Sequence, residues 1–275
     1  MARTTDLRRV ALCGRSLPQV GFEERVRLAA DAGFGYVSLL ASDLAGVGTG
    51  TGLERTATHL RDHGVAVAEL DAVVDWLPGT KLPWLRDVPR AGAWARVAET
   101  VGATTLNVVD LVEAPPLPDE EAAEAFARVC RAAADVGITA SLEFVPFSRV
   151  PDLAAAVRIV ELAGEANGGV MLDTWHLFRS GATVADVAEV PAERSTGLQV
   201  NDAPEEERGA RTRQAQQHRL LPGDGVVGVA ALLADLDARG CRVPIGLEVT
   251  SVELGAVDAA EAVRRLAAAA ASVLP

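Results

Sequence analysis

The segment Val170-Met171-Leu172-Asp173-Thr174-Trp175-His176 is an apolar run that ends in an acid and, three residues later, a histidine. A short continuous apolar run is typical of a strand that is buried on both faces, as in a parallel sheet. The segment therefore predicts a buried strand that carries reactive side chains at its carboxyl end.

Three further apolar runs end in the same way. They are Ala140-Ser141-Leu142-Glu143, Thr196-Gly197-Leu198-Gln199 and Ile245-Gly246-Leu247-Glu248. Each run places one oxygen-bearing side chain at the carboxyl end of a short strand. If these strands are neighbours in a parallel barrel, the four side chains meet at one end of it.

Strand-like runs alternate with helix-like segments along the whole chain. Eight strands are predicted, at Arg9–Cys13, Tyr36–Leu40, Val65–Leu70, Thr105–Val109, Thr139–Phe144, Gly169–Asp173, Thr196–Val200 and Val243–Glu248. This alternation predicts an α/β protein, a single (β/α)8 TIM barrel domain over residues 1–275, with a doubly wound sheet as the alternative.

Composition and charge limit the classes of partner. The 275 residues are 49% hydrophobic, which suits one large buried core. With 26 basic and 38 acidic residues, the net charge of -12 opposes a phosphodiester backbone, so we expect no nucleic-acid partner. Homo-oligomeric assembly is left open. No apolar stretch is long enough for a membrane span, and Met1–Asp6 lacks the apolar core of a signal peptide, which predicts a cytoplasmic protein without membrane contact.

Four strand-end residues form a candidate metal site. Glu143, Asp173, Gln199 and Glu248 follow strands five to eight, which are adjacent in a barrel. Three carboxylates so close together repel one another, and a cation relieves that repulsion. An all-oxygen set of three carboxylates and an amide favours one magnesium or manganese ion, with zinc and cobalt as alternatives.

The chain resembles the xylose-isomerase-like TIM barrels, which include sugar epimerases, inosose and hydroxypyruvate isomerases, dehydroshikimate dehydratases and endonuclease IV enzymes. The motifs that carry this resemblance are Ser141-Leu142-Glu143, Leu172-Asp173-Thr174-Trp175-His176, Leu198-Gln199-Val200-Asn201-Asp202, Leu221-Pro222-Gly223-Asp224-Gly225 and Gly246-Leu247-Glu248.

The resemblance implies that the matching Glu, Asp, strand-seven polar residue and Glu bind one divalent metal ion, and that Glu143 and Glu248 also transfer protons. Many family members have histidine at the strand-seven position. Gln199 stands there in this chain, as in the hydroxypyruvate isomerase and dehydroshikimate dehydratase branches.

Several further side chains are candidates for contact with a substrate. His176 is expected to donate a hydrogen bond or act as a general base, and in the related dehydratases the matching histidine is the proposed base. Arg219 can bind substrate oxygens with its planar guanidinium, unless it lies in a solvated loop.

Trp76 and Trp175 are candidate walls for a sugar or cyclitol ring, with plain packing as the alternative. Asp71 ends strand three and is expected on the far side of the pocket, although helix capping would also explain it.

Two chemistries fit this predicted site. A metal that chelates a carbonyl and a neighbouring hydroxyl makes the intervening C–H acidic. Return of the proton gives an isomerase or epimerase of a small polyhydroxy carbonyl compound (sugar, keto-acid or inosose type), working through a metal-stabilised enediolate with Glu143 and Glu248 as catalytic pair. Loss of a β-hydroxyl instead gives a dehydratase with His176 as base. A non-catalytic ligand-binding barrel is the third alternative.

Overall fold

Eight parallel strands form one closed barrel, in which each strand pairs with its neighbours in chain order. The computed structural model describes residues 7–44, 50–81, 91–207 and 209–275. The strands are β1 Val10–Leu12, β2 Tyr36–Leu40, β3 Ala66–Val73, β4 Thr105–Val109, β5 Thr139–Glu143, β6 Gly168–Asp173, β7 Ser195–Val200 and β8 Ile245–Leu247. Pairing of β1 with β8 closes the barrel. The predicted (β/α)8 architecture is confirmed.

Helices surround the barrel and alternate with its strands. They are α1 Phe22–Ala32, α2 Thr51–His63, α3 Ala91–Val101, α4 Asp119–Ala134, α5 Leu153–Ala163, α6 Thr174–Ser180, α7 Val184–Ala188, α8 Arg211–Gln217, α9 Val229–Ala238, α10 Val252–Gly255 and α11 Ala259–Val273. Local signals set their ends: Asp152 caps α5 by accepting from the Ala155 backbone nitrogen, and Gly164 ends it with φ 67°. Among the described helices, none is both long and apolar enough to cross a membrane.

Residues 1–6, on which the expected lack of a signal peptide depends, lie outside the described part of the chain. All three cysteines are buried free thiols.

Strand side chains alternate between the helices and the inside of the barrel. On β6, Val170 and Leu172 belong to the large apolar core that packs against the helices. Met171 and Asp173 therefore face the barrel axis. This alternation places the strand-end acids inside the barrel, at the end where active sites of this fold lie.

Glycines on β7 and β8 leave room for larger side chains inside the barrel. A Cβ atom at Gly197 would lie 2.6 Å from Met171 Sδ and 2.8 Å from Ser141 Oγ. A Cβ atom at Gly246 would lie 3.0 Å from Cys13 Sγ. Since the interior is packed this closely, a methyl group at Gly197 requires a shift of Met171 or of a strand.

The structure adds three short helices that the sequence pattern did not predict. Helix α6 starts directly after β6, α8 lies in the connection that follows β7, and α10 follows β8. Helix α6 begins Thr174-Trp175-His176, residue types with modest helix propensity, so periodicity alone does not reveal it. Its start depends on Asp173, whose side chain accepts from the His176 backbone nitrogen.

Strand β3 is longer than predicted and continues to Val73. Its pairing with β4 shifts register between Leu70 and Val73. Asp71 therefore lies within the strand, whereas the sequence placed it just after the strand.

We expect Gly197→Ala to lower the free energy of unfolding by about 1–3 kcal/mol, because the new methyl group overlaps Met171 Sδ. Urea unfolding followed by circular dichroism measures this. Gly92→Ala is the matched control, since nothing lies within 4 Å of a Cβ atom there and alanine favours helix α3. Equal stability of both variants would contradict the packing argument.

Candidate active site

A cavity of about 190 Å³ lies at the carboxyl ends of the strands. Six charged or titratable residues line it: Arg15, Asp71, Glu143, His176, Arg219 and Glu248. Apolar side chains, among them Val109, Val145 and Phe147, form other parts of its wall. The cavity therefore combines a dense set of ionisable groups with a partly apolar lining, as small-molecule sites do.

Within the described part of the chain, Glu143, Asp173 and His176 form a group of possible metal ligands, which we name the acid–histidine cluster. One ligand atom from each of the three lies within 4.8 Å of the others, and all three side chains are buried. His176 Nε2 is 3.3 Å from Glu143 Oε1. Asp173 Oδ1 accepts the His176 backbone N–H at 2.9 Å, so the cap of helix α6 also fixes this carboxylate.

Arg219 neutralises the deepest acid of the cluster. Its Nη1 donates to Asp173 Oδ2 at 2.6 Å, and its Nη2 lies 3.3 Å from His176 Nε2. Burial alone would raise the pKa of Asp173, but the charges of Arg219 and His176 and the hydrogen bonds outweigh it and lower that pKa. Arg219 Nε is held by the Ala215 carbonyl, so most of its donors already have protein partners.

Glu248 faces the same cavity from the last strand. Its Oε1 is 3.5 Å from Arg15 Nε, and its Oε2 is 3.8 Å from Arg219 Nη1. Burial raises the pKa of Glu248 well above its usual value. Arg219 opposes that shift, whereas the charges of Glu143 and Asp71 add to it.

Gln199 lies beside Asp173 in the pairing of β7 with β6, but it does not line the cavity. Its Nε2 donates to Glu69 Oε1 at 3.1 Å. Its Oε1 is buried and has no hydrogen-bond partner in the part of the chain that the structure describes. An unpartnered amide oxygen next to buried carboxylates is a donor that a hard divalent cation would use, so the residues present fit such an ion.

A family model for xylose isomerase-like TIM barrels matches residues 26–269. The chain belongs to this family.

Individual relatives are distant. An inosose isomerase of Halalkalibacterium halodurans is 25% identical over 173 residues, which is 59% of this chain and 60% of that protein. A 3-dehydroshikimate dehydratase of Pseudomonas aeruginosa is 26% identical over 229 residues, 82% of this chain but 36% of that protein. The chain thus spans less than two thirds of the length of both relatives.

A crystal structure of the IOLI protein with a bound zinc atom superposes with a TM-score of 0.86 and 19% identity, covering 96% of this chain and 97% of that one. This likeness supports the fold of the family.

The two tryptophans that were predicted to line the site, Trp76 and Trp175, do not line the cavity. Trp76 Nε1 donates to the Val109 carbonyl, and its ring packs edge-on against Phe126. Trp175 is fully buried, with Arg219 and Arg179 against its ring. Trp175 also packs against Ala203 and Ala215. Neither indole lines the cavity, so the expectation that they form its walls was wrong.

Sequence reasoning missed Arg15, which follows β1. Its Nε donates to Asp71 Oδ2 at 3.1 Å, and its side chain is 45% exposed. Asp71, which lies within β3, lines the cavity. Arg15 lies two residues after Cys13, just beyond the carboxyl end of the first apolar run. That position could have indicated from the sequence that Arg15 lies near the site.

Two asparagines that hold acids were also missed. Asn107 Nδ2 donates to Glu143 Oε2 at 2.8 Å, and Asn201 Nδ2 donates to Asp173 Oδ2 at 2.9 Å. Both side chains are fully buried. Each asparagine lies two residues from a strand-end residue, Val109 or Gln199, so strict alternation along the strand indicates that both point inward.

The family motif Leu221-Pro222-Gly223-Asp224-Gly225 forms a turn held by Asp202. Asp202 Oδ2 accepts the backbone N–H of Gly223, and Oδ1 accepts those of Ala203 and Val227. The backbone of Asp202 also pairs with Leu220, next to Arg219. These contacts fix the segment that delivers Arg219 to the acid–histidine cluster.

We expect Asp202→Ala to lower the free energy of unfolding by about 3 kcal/mol, because three backbone donors, one buried and two part-buried, lose a charged acceptor. Urea unfolding gives the value. Asp224→Ala, an exposed acid in the same turn, is the matched control and should stay near wild type. If the two variants were equally stable, Asp202 would not hold the turn.

Proposed function

We propose that the protein is a divalent-metal-dependent isomerase or epimerase of a small polyhydroxy carbonyl compound, of the sugar, keto-acid or inosose type. The observation that carries this proposal is the placement of Glu143 and Glu248 on one small cavity, beside the acid–histidine cluster. The similarity to an inosose isomerase supports it.

Glu143, Asp173, Gln199 and Glu248 are the proposed ligands of one metal ion. The amide oxygen of Gln199 lacks a partner among the described residues, and Asp173 Oδ1 carries a single hydrogen bond. Manganese or magnesium suits these oxygen donors. Zinc and cobalt are alternatives, since His176 lies within the acid–histidine cluster and the structure of the IOLI protein contains zinc. A divalent ion held here supplies Lewis-acid polarisation of the substrate carbonyl and its neighbouring hydroxyl.

Proton transfer is assigned to the two glutamates. The glutamate that faces the substrate C–H takes the proton, and its return to the adjacent carbon or to the opposite face of the same carbon completes isomerisation or epimerisation. His176 lies 3.3 Å from both Glu143 Oε1 and Arg219 Nη2. In this assignment the imidazole orients Glu143 and a substrate hydroxyl.

The cavity suits a small polar substrate. Its volume of about 190 Å³ is below the roughly 300–1,000 Å³ of drug-sized pockets. Arg15 offers its terminal nitrogens at the cavity, and no hydrogen bond to them is found within the described residues. We assign Arg15 and Asp71 to binding of substrate oxygens and hydroxyls, together with Arg219. Partners are therefore small molecules, in keeping with the acidic net charge.

A dehydratase is the second candidate. The similarity to a 3-dehydroshikimate dehydratase and the glutamine at position 199 favour it. In this alternative His176 takes the proton from the carbon next to the carbonyl and then donates it to the departing β-hydroxyl, which leaves as water. His176 lines the cavity, so a substrate carbon can reach its ring.

We expect about one divalent ion per chain in protein that is stripped with a chelator and reconstituted with Mn²⁺. Glu248→Ala should lose that ion, because a carboxylate ligand is removed. Metal analysis after gel filtration measures the occupancy. Glu189→Ala, an exposed acid beyond α7, is the control and should retain it. Equal occupancy in both variants would rule Glu248 out as a ligand.

The two chemistries differ in their dependence on His176. For an isomerase, His176→Asn should retain turnover, because the new amide still hydrogen-bonds. Glu143→Gln should lower kcat by about 100-fold to 10,000-fold, because a base is lost. Proton NMR in deuterium oxide, with inososes, ketoses, keto acids and 3-dehydroshikimate, follows exchange and product. A His176→Asn protein that binds Mn²⁺ normally but shows neither turnover nor deuterium exchange would favour the dehydratase.

A further inference from the structure

A hydrogen bond crosses the interior of the barrel just outside the cavity. Gln199 on β7 donates from Nε2 to Oε1 of Glu69 on β3, at 3.1 Å. These two strands lie on opposite sides of the eight-stranded barrel. Glu69 and Gln199 are only 6% and 1% exposed, so water does not replace this contact.

This hydrogen bond decides which end of the Gln199 amide is available for other partners. A side-chain amide has one donor end and one acceptor end, and Glu69 engages the donor end. The acceptor, Oε1, is thereby left buried and without a partner among the described residues. A buried carbonyl oxygen without a hydrogen-bond partner is unfavourable, so its orientation calls for an additional partner.

The other acids beside the cavity are held in a comparable way. Asn107 donates to one oxygen of Glu143, and Asn201 donates to one oxygen of Asp173. In each case one buried side chain on the barrel interior fixes one end of a proposed ligand. Glu69 differs because it accepts a hydrogen bond from the Gln199 amide instead of donating one.

Glu69 is itself held in place from β1. Cys13 Sγ lies 3.5 Å from the same Oε1 that accepts from Gln199. Glu69 does not line the active-site cavity; it borders a much smaller cavity of about 10 Å³ at the other end of the barrel interior. Glu69 therefore does not line the space that a substrate would fill. Its direct contact with a proposed metal ligand is the hydrogen bond from Gln199, and its charge also acts on Asp71 and Glu143.

We propose that Glu69 is a positioning residue that orients the Gln199 amide so that Oε1 is presented to the divalent ion. The inference rests on the proposed metal site. Buried partners of this kind set the orientation of metal ligands, and their loss weakens metal affinity by about 10-fold to 100-fold.

The test measures Mn²⁺ affinity of the apo protein by isothermal titration calorimetry, without substrate. Glu69→Leu, which removes the acceptor at similar size, should weaken Mn²⁺ binding by about 10-fold to 100-fold. Glu69→Gln retains an acceptor oxygen and should bind Mn²⁺ close to wild type. Ser141→Ala is the matched control, because it removes another polar contact of the barrel interior, the one with Thr196, and leaves the contact between Glu69 and Gln199 in place. Its affinity should also stay near wild type.

The Gln199→Ala background separates positioning from general damage to the barrel. If Glu69 acts through Gln199, adding Glu69→Leu to Gln199→Ala should cause no further loss of Mn²⁺ affinity. The inference is overturned if Glu69→Leu lowers the Mn²⁺ affinity of the Gln199→Ala variant as much as it lowers that of the wild type. It is also overturned if Glu69→Leu alone leaves the affinity unchanged. Neither result contradicts the proposed metal site. Wild-type protein that binds no Mn²⁺ overturns the proposed function and the inference together. Should Glu69→Leu not fold, Glu69→Met is judged by the same criteria.

Discussion

Mutual repulsion among buried carboxylates is the constraint that shapes one end of this barrel. Asp71, Glu143 and Glu248 line one small cavity, and Asp173 lies beside them, hydrogen-bonded to Arg219. Because these groups are removed from water, each charge acts strongly on the others. The raised pKa values of Asp71 and Glu248 follow from burial and from this repulsion, although nearby arginines oppose it. The arrangement is therefore stable only with compensating groups.

The fold supplies several such groups, each from a different connection. Arg15, beyond β1, pairs with Asp71, and Arg219, beyond β7, pairs with Asp173. Glu143 receives a hydrogen bond from Asn107 and lies next to His176. Arg15 and Arg219 do not compensate all of the negative charge of the four acids. The remaining negative charge would stabilise a divalent ion beside them. The same uncompensated negative charge therefore makes the buried acids unfavourable to one another and favours the binding of a cation as the proposed ligand.

The sequence predicts the barrel well because its patterns for buried strands and for helix ends are both strong. Parallel strands that are buried on both faces appear as continuous apolar runs, and glycine or capping residues mark the helix ends. Strand-end acids could be placed at one cavity because adjacent strands of a barrel end at the same level. Glu143, Glu248, His176 and Arg219 line this cavity, whereas Asp173 and Gln199 do not.

Other features depend on geometry that a linear pattern does not contain. Trp76 and Trp175 are near strand ends in sequence, but packing turns both rings away from the cavity. Glu69 lies within a predicted strand, and nothing local reveals that its partner is 130 residues away across the barrel. Side-chain partners of this kind follow from closure of the sheet, and closure is a property of the whole chain.

The glycines of the last strands connect packing to chemistry. Gly197 and Gly246 have no side chains, so Met171 and Cys13 can fill the barrel interior beside them. Cys13 in turn lies against Glu69, which holds Gln199. A larger residue at Gly246 would press on Cys13 and, through it, on the carboxyl group that orients Gln199. Close packing at the centre of the barrel is thus linked, contact by contact, to Gln199, a proposed metal ligand at its carboxyl end.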